Sequence, residues 1–337
     1  GTTAERVAPA NLIPVDCTVL TPDMLPLVKL TQQELEHIVA DVPGGVANVQ
    51  DIYALAPLQE GILYHHMMQT DGDVYVNALL LGFDSEARLQ AFIDSLNAVI
   101  ARHDILRTSV RWEGLRQPMQ VVQRQAGLAL EWLAAGEDAE ARLRAFARPG
   151  SLRIDVRRAP MMRAIAVHDT AGARWLLQLP SHHLALDHAS EEQLVEEIEM
   201  LRTGRQDQLP VPVPFRDYVA RARVAGDEQA HAEFFRQMLG DVTEPTAAFG
   251  LLDVRGDGSR LREAKLAMPA DWSPRARRAL RGAGVSGAAL FHLAWAQVLA
   301  RCAGRDDVVF GTVLFGRMQG GAGGARALGM FINTLPL

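Results

Sequence analysis

Apolar residues recur along the chain with two periods, and the places where one gives way to the other mark out the elements. Leu89, Phe92, Ile93, Leu96, Val99 and Ile100 share one face of a 3.6-residue period, which predicts a helix over 85–103. Thr31 and Glu34 stand just ahead of Leu35, Ile38 and Val39 in the spacing of a capping box, so a helix is predicted over 31–42, stopping at Pro43-Gly44-Gly45. Apolar runs at 74–83, 105–112, 119–122, 162–167 and 175–179 read as strands on which the longer helix packs. Ser190 and Gln193 repeat the capping-box spacing and open another amphipathic helix through Leu194, Val195 and Ile198.

From 203 to 214 the chain turns polar and proline-rich (TGRQDQLPVPVP), the composition of a stiff crossing between lobes. A length of 337 residues also exceeds the size at which one core stops growing. The expected division is therefore a linker and capped helix over 1–47, an N-terminal lobe over 48–214 and a C-terminal lobe over 215–337. In the last of these the pattern predicts a helix over 215–239 and a strand at 264–267. A helix follows over 286–302, with Leu293, Trp295, Val298 and Leu299 as core, then a buried strand at 306–314 and a strand-like tail over 329–337.

Composition adds exclusions. A net charge of −6, with no Lys/Arg block and no basic stripe interleaved with aromatics, excludes a nucleic-acid role. Cys17 and Cys302 lie far apart, give no zinc spacing and fit a reduced, cytoplasmic protein. Neither a signal peptide nor an apolar run of eighteen residues is visible, and the initial Gly reads as part of a longer chain.

The candidate chemistry lies at His182-His183-Leu184-Ala185-Leu186-Asp187-His188, between the run Trp175, Leu176, Leu177, Leu179 and the helix expected from Ser190. A strand-to-helix loop pinned at both ends is a place to hold a proton-transferring imidazole in fixed orientation. On these residues alone, a polar pair at a core edge remains an equal alternative.

Five segments taken in order remove that balance. They are Tyr53-Ala54-Leu55-Ala56-Pro57-Leu58-Gln59-Glu60-Gly61, Arg102-His103-Asp104-Ile105-Leu106-Arg107-Thr108, His182 to Asp187, Phe315-Gly316-Arg317, and Asn333-Thr334-Leu335-Pro336-Leu337. Together they resemble the condensation domains of nonribosomal peptide synthetases, over nearly the whole chain from about residue 48. His65-His66-Met67, separated by four residues from Gly72-Asp73, is similar to the extra motif of the dual condensation/epimerization subtype, with Met67 where Ile or Leu is usual.

The resemblance implies an α/β fold of two chloramphenicol-acetyltransferase-like lobes, each a mixed sheet with packed helices, in a V-shaped pseudo-dimer whose second lobe is incomplete here. It implies peptide-bond formation between a carrier-bound donor thioester and a carrier-bound aminoacyl acceptor, with epimerization of the donor residue. Condensation alone and a catalytically silent recruitment platform are the alternatives. His183 matches the catalytic base, His182 shapes the loop through a hydrogen bond, and Asp187 points toward an arginine, for which Arg107 is the matching candidate. His65, His66, Gly72 and Asp73 form the epimerization motif. His188 replaces the usual glycine and has to fit beside the loop; Asn333 holds the lobe junction and Arg317 takes a salt-bridge or tunnel-wall position. No metal or bound cofactor is implied. The 4′-phosphopantetheine arms come from upstream and downstream peptidyl carrier domains, with an adenylation domain adjacent.

Overall fold

Thr31 opens the first helix, α1 (Gln32–Ala40), as its spacing predicts: its Oγ1 accepts from the Glu34 amide at 3.2 Å while Glu34 Oε2 accepts from the Thr31 amide at 2.8 Å. The computed structural model describes residues 8–69, 72–147, 152–224, 228–252, 262, 264–315 and 326–337. After α1 come β1 (Val49–Ala54), α2 (Pro57–Met68), β2 (Val76–Phe83), α3 (Glu86–Arg102), β3 (Thr108–Arg111) and β4 (Met119–Gln123). Next are β5 (Leu130–Trp132), α4 (Ala139–Phe146), β6 (Ala164–Asp169), β7 (Arg174–His182) and α5 (His188–Arg202). The rest is α6 (Phe215–Val224), α7 (Glu228–Leu239), α8 (Trp272–Ala283), α9 (Gly287–Ala303), β8 (Gly311–Phe315) and β9 (Ile332–Pro336).

Among the described residues the strands form three sheets. One has the order β1-β4-β3 and is antiparallel. The second, β2-β7-β6-β5, is mixed, since β5 and β6 run parallel. The third pairs β8 with β9. The α/β class with mixed sheets is thus as expected.

The chain divides into two compact units, residues 1–226 with 315–333, and residues 227–314 with 334–337. The first holds the large core: Leu89, Phe92, Ile93, Leu96, Val99 and Ile100 of α3 are all buried on one face, the face their period marks out. Arg102 and His103 at the end of α3 both reach Glu197 Oε2 of α5, at 3.1 and 2.9 Å, and tie the two helices together.

The expected boundaries move. The proline-rich stretch does not end the first unit, because Phe215 of α6 is fully buried and its amide donates to both Asp104 carboxylate oxygens at 3.1 and 2.9 Å. Arg216 pairs with Asp51 at 2.5 Å beside it. The segment 8–47 is no free linker either, since Ile13, Cys17, Leu20 and Leu25 enter the same core. Apolar residues on both sides of the expected breaks find one core, and burial outweighs local composition.

The expected helix over 215–239 is two helices, α6 in the first unit and α7 in the second. No strand forms at 264–267, where Leu266 is 89% exposed. The unforeseen α8 is rich in arginine (WSPRARRALRGA) and buries no residue. Leu293, Trp295 and Val298 on α9 are half-exposed rather than core. Arg317 lies outside the described residues. Among the described residues, no single helix is long and apolar enough to cross a membrane.

Residues 326–333 return to the first unit, and Gly329 is where they come closest. At φ +154°, a Cβ built on it would stand 2.2 Å from Phe215 Cδ2. Gly329→Ala is therefore expected to force this segment off α6 and to lower the unfolding free energy by about 2 kcal/mol, an overpacking cost, as read by urea denaturation. Unchanged stability would mean the segment is not packed here.

Candidate active site

The register of β2 on β7 sets the site. Val76 lies opposite His182 and Asn77 opposite Ser181, and β7 runs out at His182 into the loop 183–187. Asp187 then caps α5: in extended backbone (φ −93°, ψ 171°), its Oδ1 accepts from the Ser190 amide at 2.8 Å. The helix therefore begins at His188, two residues before the expected start. Ser190 is an interior residue whose hydroxyl lies 2.7 Å from Asp187 Oδ1 and accepts from the Gly329 amide at 3.0 Å. The Phe331 amide donates to Asp187 Oδ2 at 3.2 Å. The aspartate is thus turned away from the loop face and locked by backbone donors.

Arg107 is not among its partners, which corrects the pairing expected from the resemblance. Its guanidinium donates to Gln50 Oε1 at 2.8 Å and to the Gln123 carbonyl, beside β1 and β4. The partners of Asp187 include the Ser190 amide of its own helix and the Phe331 amide. His188 does not brace the loop: its side chain is 77% exposed and faces Glu191 and Glu192 at 3.7 and 3.5 Å. The loop accommodates it because the helix start points it into solvent.

His183 is half-buried. Its amide donates to the Tyr75 carbonyl at 2.9 Å, and its Nδ1 lies 2.9 Å from the Leu186 carbonyl. A carbonyl only accepts, so Nδ1 carries the proton and Nε2 presents a lone pair. Asn77 Nδ2, 3.0 Å away, donates to that lone pair.

His182 is fully buried and serves differently. The Leu184 amide donates to its Nδ1 at 3.0 Å, so Nε2 bears the proton and donates to Asp73 Oδ2 at 2.8 Å. The same oxygen accepts from His66 Nδ1 at 2.5 Å, and Oδ1 from the Tyr75 amide at 2.8 Å. His66 Nε2, left with its lone pair, accepts from Arg153 Nη2 at 3.1 Å. Arg153 also donates to the carbonyls of His66, Gln69 and Gly72. Burial pushes the Asp73 carboxyl up, but the bonds from His182 and His66 overcome it and hold it well below the usual carboxylate range. Burial pushes the His182 imidazole down.

The expectation that His182 shapes the loop by a hydrogen bond fits this arrangement. Of the extra motif, His66 and Asp73 join the loop and Gly72 lends its carbonyl. His65 stays exposed, its ring 5.9 Å from Tyr75 and 5.6 Å from Tyr64. Asn333 lies on β9. Among the described residues, His66, Asp73 and His182 stand close enough together to suggest a metal cluster. The 2.5 Å His66–Asp73 contact is, however, closer than two tetrahedral ligands at about 2.1 Å from one ion would stand. A guanidinium on the outer face adds repulsion, and the trio is a hydrogen-bond chain.

Sequence reading overlooks Arg153, Asn77 and the part played by Gln59. Fully buried Gln59 donates to the Leu184 carbonyl at 2.7 Å and to Gln120 Oε1 at 3.0 Å, and so pins α2 to the loop. Asn77 leaves a signal, a polar residue within an apolar strand run. Arg153 leaves none, since nothing local ties it to residues 66–72.

Residues 49–337 match the family model described as Condensation domain. The chain is 46% identical over 332 residues to malpibaldin synthetase of Mortierella alpina, covering 98% of this chain and 6% of that protein. It is 43% identical over 334 residues to malpinin synthetase of the same organism, covering 98% and 4%. The chain thus spans a small fraction of these relatives' length. Among solved structures it superposes on the condensation domain of the monacolin K polyketide synthase MokA with TM-score 0.66 at 18% identity, covering 86% of this chain and 68% of that one. The first condensation domain of the calcium-dependent antibiotic synthetase, solved with a substrate analogue, gives 0.63 at 22%, covering 85% and 69%.

Asp73→Ala leaves two buried imidazole donors without their carboxylate, and is expected to cost about 3–5 kcal/mol in urea denaturation. In the unmutated chain, the unfolded state binds protons that the folded state refuses at both His182 and Asp73, so the two act with the same sign. Stability should hold above pH 6.5, the ordinary value for His182, fall as pH drops below it, and fall again below the ordinary Asp73 value of 3.8. A flat profile between pH 7 and 5 would refute the neutral, buried state of His182.

Proposed function

The chain belongs to the condensation-domain family, and from that premise we propose that it joins a carrier-bound donor thioester to the amine of a carrier-bound aminoacyl acceptor. The observation that carries this reading is the His183 ring, with Nδ1–H on the Leu186 carbonyl and the Nε2 lone pair held ready. The acceptor nitrogen attacks the thioester carbonyl, and a C–N bond forms. His183 Nε2 takes the amine's proton, the tetrahedral intermediate collapses with loss of the C–S bond, and the proton leaves on the sulfur as a free thiol. General-base help of this kind contributes roughly a hundred- to ten-thousandfold. Fixing both thioester-linked reactants beside one ring supplies the rest by proximity. In this reading, upstream and downstream carrier domains deliver them on 4′-phosphopantetheine arms, and an adenylation domain charges a carrier.

Epimerization of the donor residue belongs to the same proposal. It is supported by the His65-His66 and Gly72-Asp73 motif and by the bond from Asp73 to His182, next to the base. An imidazole that takes an amine proton is also placed to exchange the acidic α-proton of a thioester.

In the full-length synthetase with both carriers loaded, His183→Ala should lower dipeptide formation by at least about a hundredfold, measured by mass spectrometry of released product. Normal turnover would dismiss the base. With an L-configured donor, chiral chromatography of the product should show a D centre at the donor residue. An L centre with full turnover would leave condensation alone.

A further inference from the structure

We propose that Asn77 is a positioning residue for His183: oriented by Glu191, its amide keeps the imidazole neutral and occupies the place that the acceptor's amine nitrogen takes during reaction. The proposal rests on His183 being the base.

The register carries the first step. Asn77 and Ser181 are directly paired across β2 and β7 and so project from one sheet face. Both reach the same atom of α5, Glu191 Oε1, at 3.4 Å. A carboxylate accepts and does not donate, so this contact selects the NH2 end of the Asn77 amide. The same NH2 group has a second hydrogen, and His183 Nε2 lies 3.0 Å from it. Turning the amide over would set its oxygen against the Glu191 carboxylate.

The second step is electrostatic. With Nδ1–H already on the Leu186 carbonyl, a proton on Nε2 would face the amide N–H donor directly. The Asn77 donor thus favours the neutral ring at rest. An amine nitrogen with its own N–H is the natural replacement at that position, and it takes the lone pair as Asn77 yields. Once protonated, the ring has a poor neighbour in Asn77, which speeds delivery of the proton to the leaving sulfur. The other titratable groups on the segments that adjoin the ring are Glu191 and His188 on α5, the latter turned into solvent, Asp187 at its cap and adjacent His182. On the side of α2 and β2 they are Asp73, Tyr75 and His65. Of these, Asp187 and Asp73 are turned toward other donors.

The test is the pH profile of kcat/KM for dipeptide formation in the full-length synthetase. Asn77→Leu removes the donor and should move the acid limb up by about one pH unit; Asn77→Asp, an acceptor of the same size, should move it further. Turnover at the optimum should drop about tenfold, with a smaller change in KM for the acceptor carrier. Asn77→Asp keeps volume and polarity, so a folding defect in the leucine variant does not decide the matter. If both variants keep the unmutated acid limb while His183→Ala abolishes product, the assignment of Asn77 is wrong and the base stands. If His183→Ala turns over normally, the base itself has failed.

Discussion

Asp73 accepts hydrogen bonds from two buried imidazoles on one carboxylate oxygen, and the geometry of the site follows from that. A buried carboxylate loses several kcal/mol of hydration. Here three N–H donors offset the loss: His66 and His182 on Oδ2 and the Tyr75 amide on Oδ1. Charge-assisted bonds of this kind are about twice as strong as neutral ones and demand direction. The direction propagates. Arg153 donates to His66, His66 to Asp73, His182 to Asp73, and the Leu184 amide to His182, so each ring has one permitted tautomer. The first histidine of the loop is thereby a fixed point, and the second inherits its backbone position from it.

A base carried on a loop needs more than one such point, because an untethered loop keeps the conformational freedom that proximity catalysis must remove. Three distant segments supply them. Gln59 of α2 holds the Leu184 carbonyl, Asp73 holds His182, and residues 329–331 hold Asp187 and Ser190. The close approach of Gly329 to Phe215 carries the third anchor back to α6, whose amide in turn caps onto Asp104. The histidine loop is therefore tied to the core from both ends and from beneath, while the His183 ring keeps Nε2 on its open side.

Much of this is legible in the sequence where the signal is local. The periods of α1 and α3, the caps at Thr31 and Ser85, and the strand runs through 74–83 and 175–179 are set within a dozen residues, and the elements form there. The histidine loop falls between the expected elements for the same reason. Local signals fail where a distant group decides. Asp187 outcompetes Ser190 as cap because Phe331, 144 residues on, presents a matching donor. Motif order matches Arg107 to Asp187, yet the arginine is held by the Gln50 side chain and the Gln123 carbonyl. The proline-rich stretch looks like a boundary, but Phe215 directly after it is core. No spacing rule couples Arg153 to His66 across 87 residues.

The sharing of Asp73 between two motifs also limits what any single substitution there can reveal. Among the described residues, His66 and Asp73 connect to His183 through His182 and the Tyr75 backbone, so on the proposed mechanism their removal disturbs the base whether or not they meet a substrate. On the proposed mechanism, loss of activity at these positions does not by itself assign them a contact with substrate. His65 differs: it is exposed, it packs on the ring of Tyr75, and it takes no part in the chain of donors that ends at Asp73. The extra motif thus divides physically into a buried half that holds the histidine loop and one exposed histidine free of that duty. Any chemistry peculiar to the motif has to be sought at the second, on the face where Tyr75 and Asn77 bracket the loop.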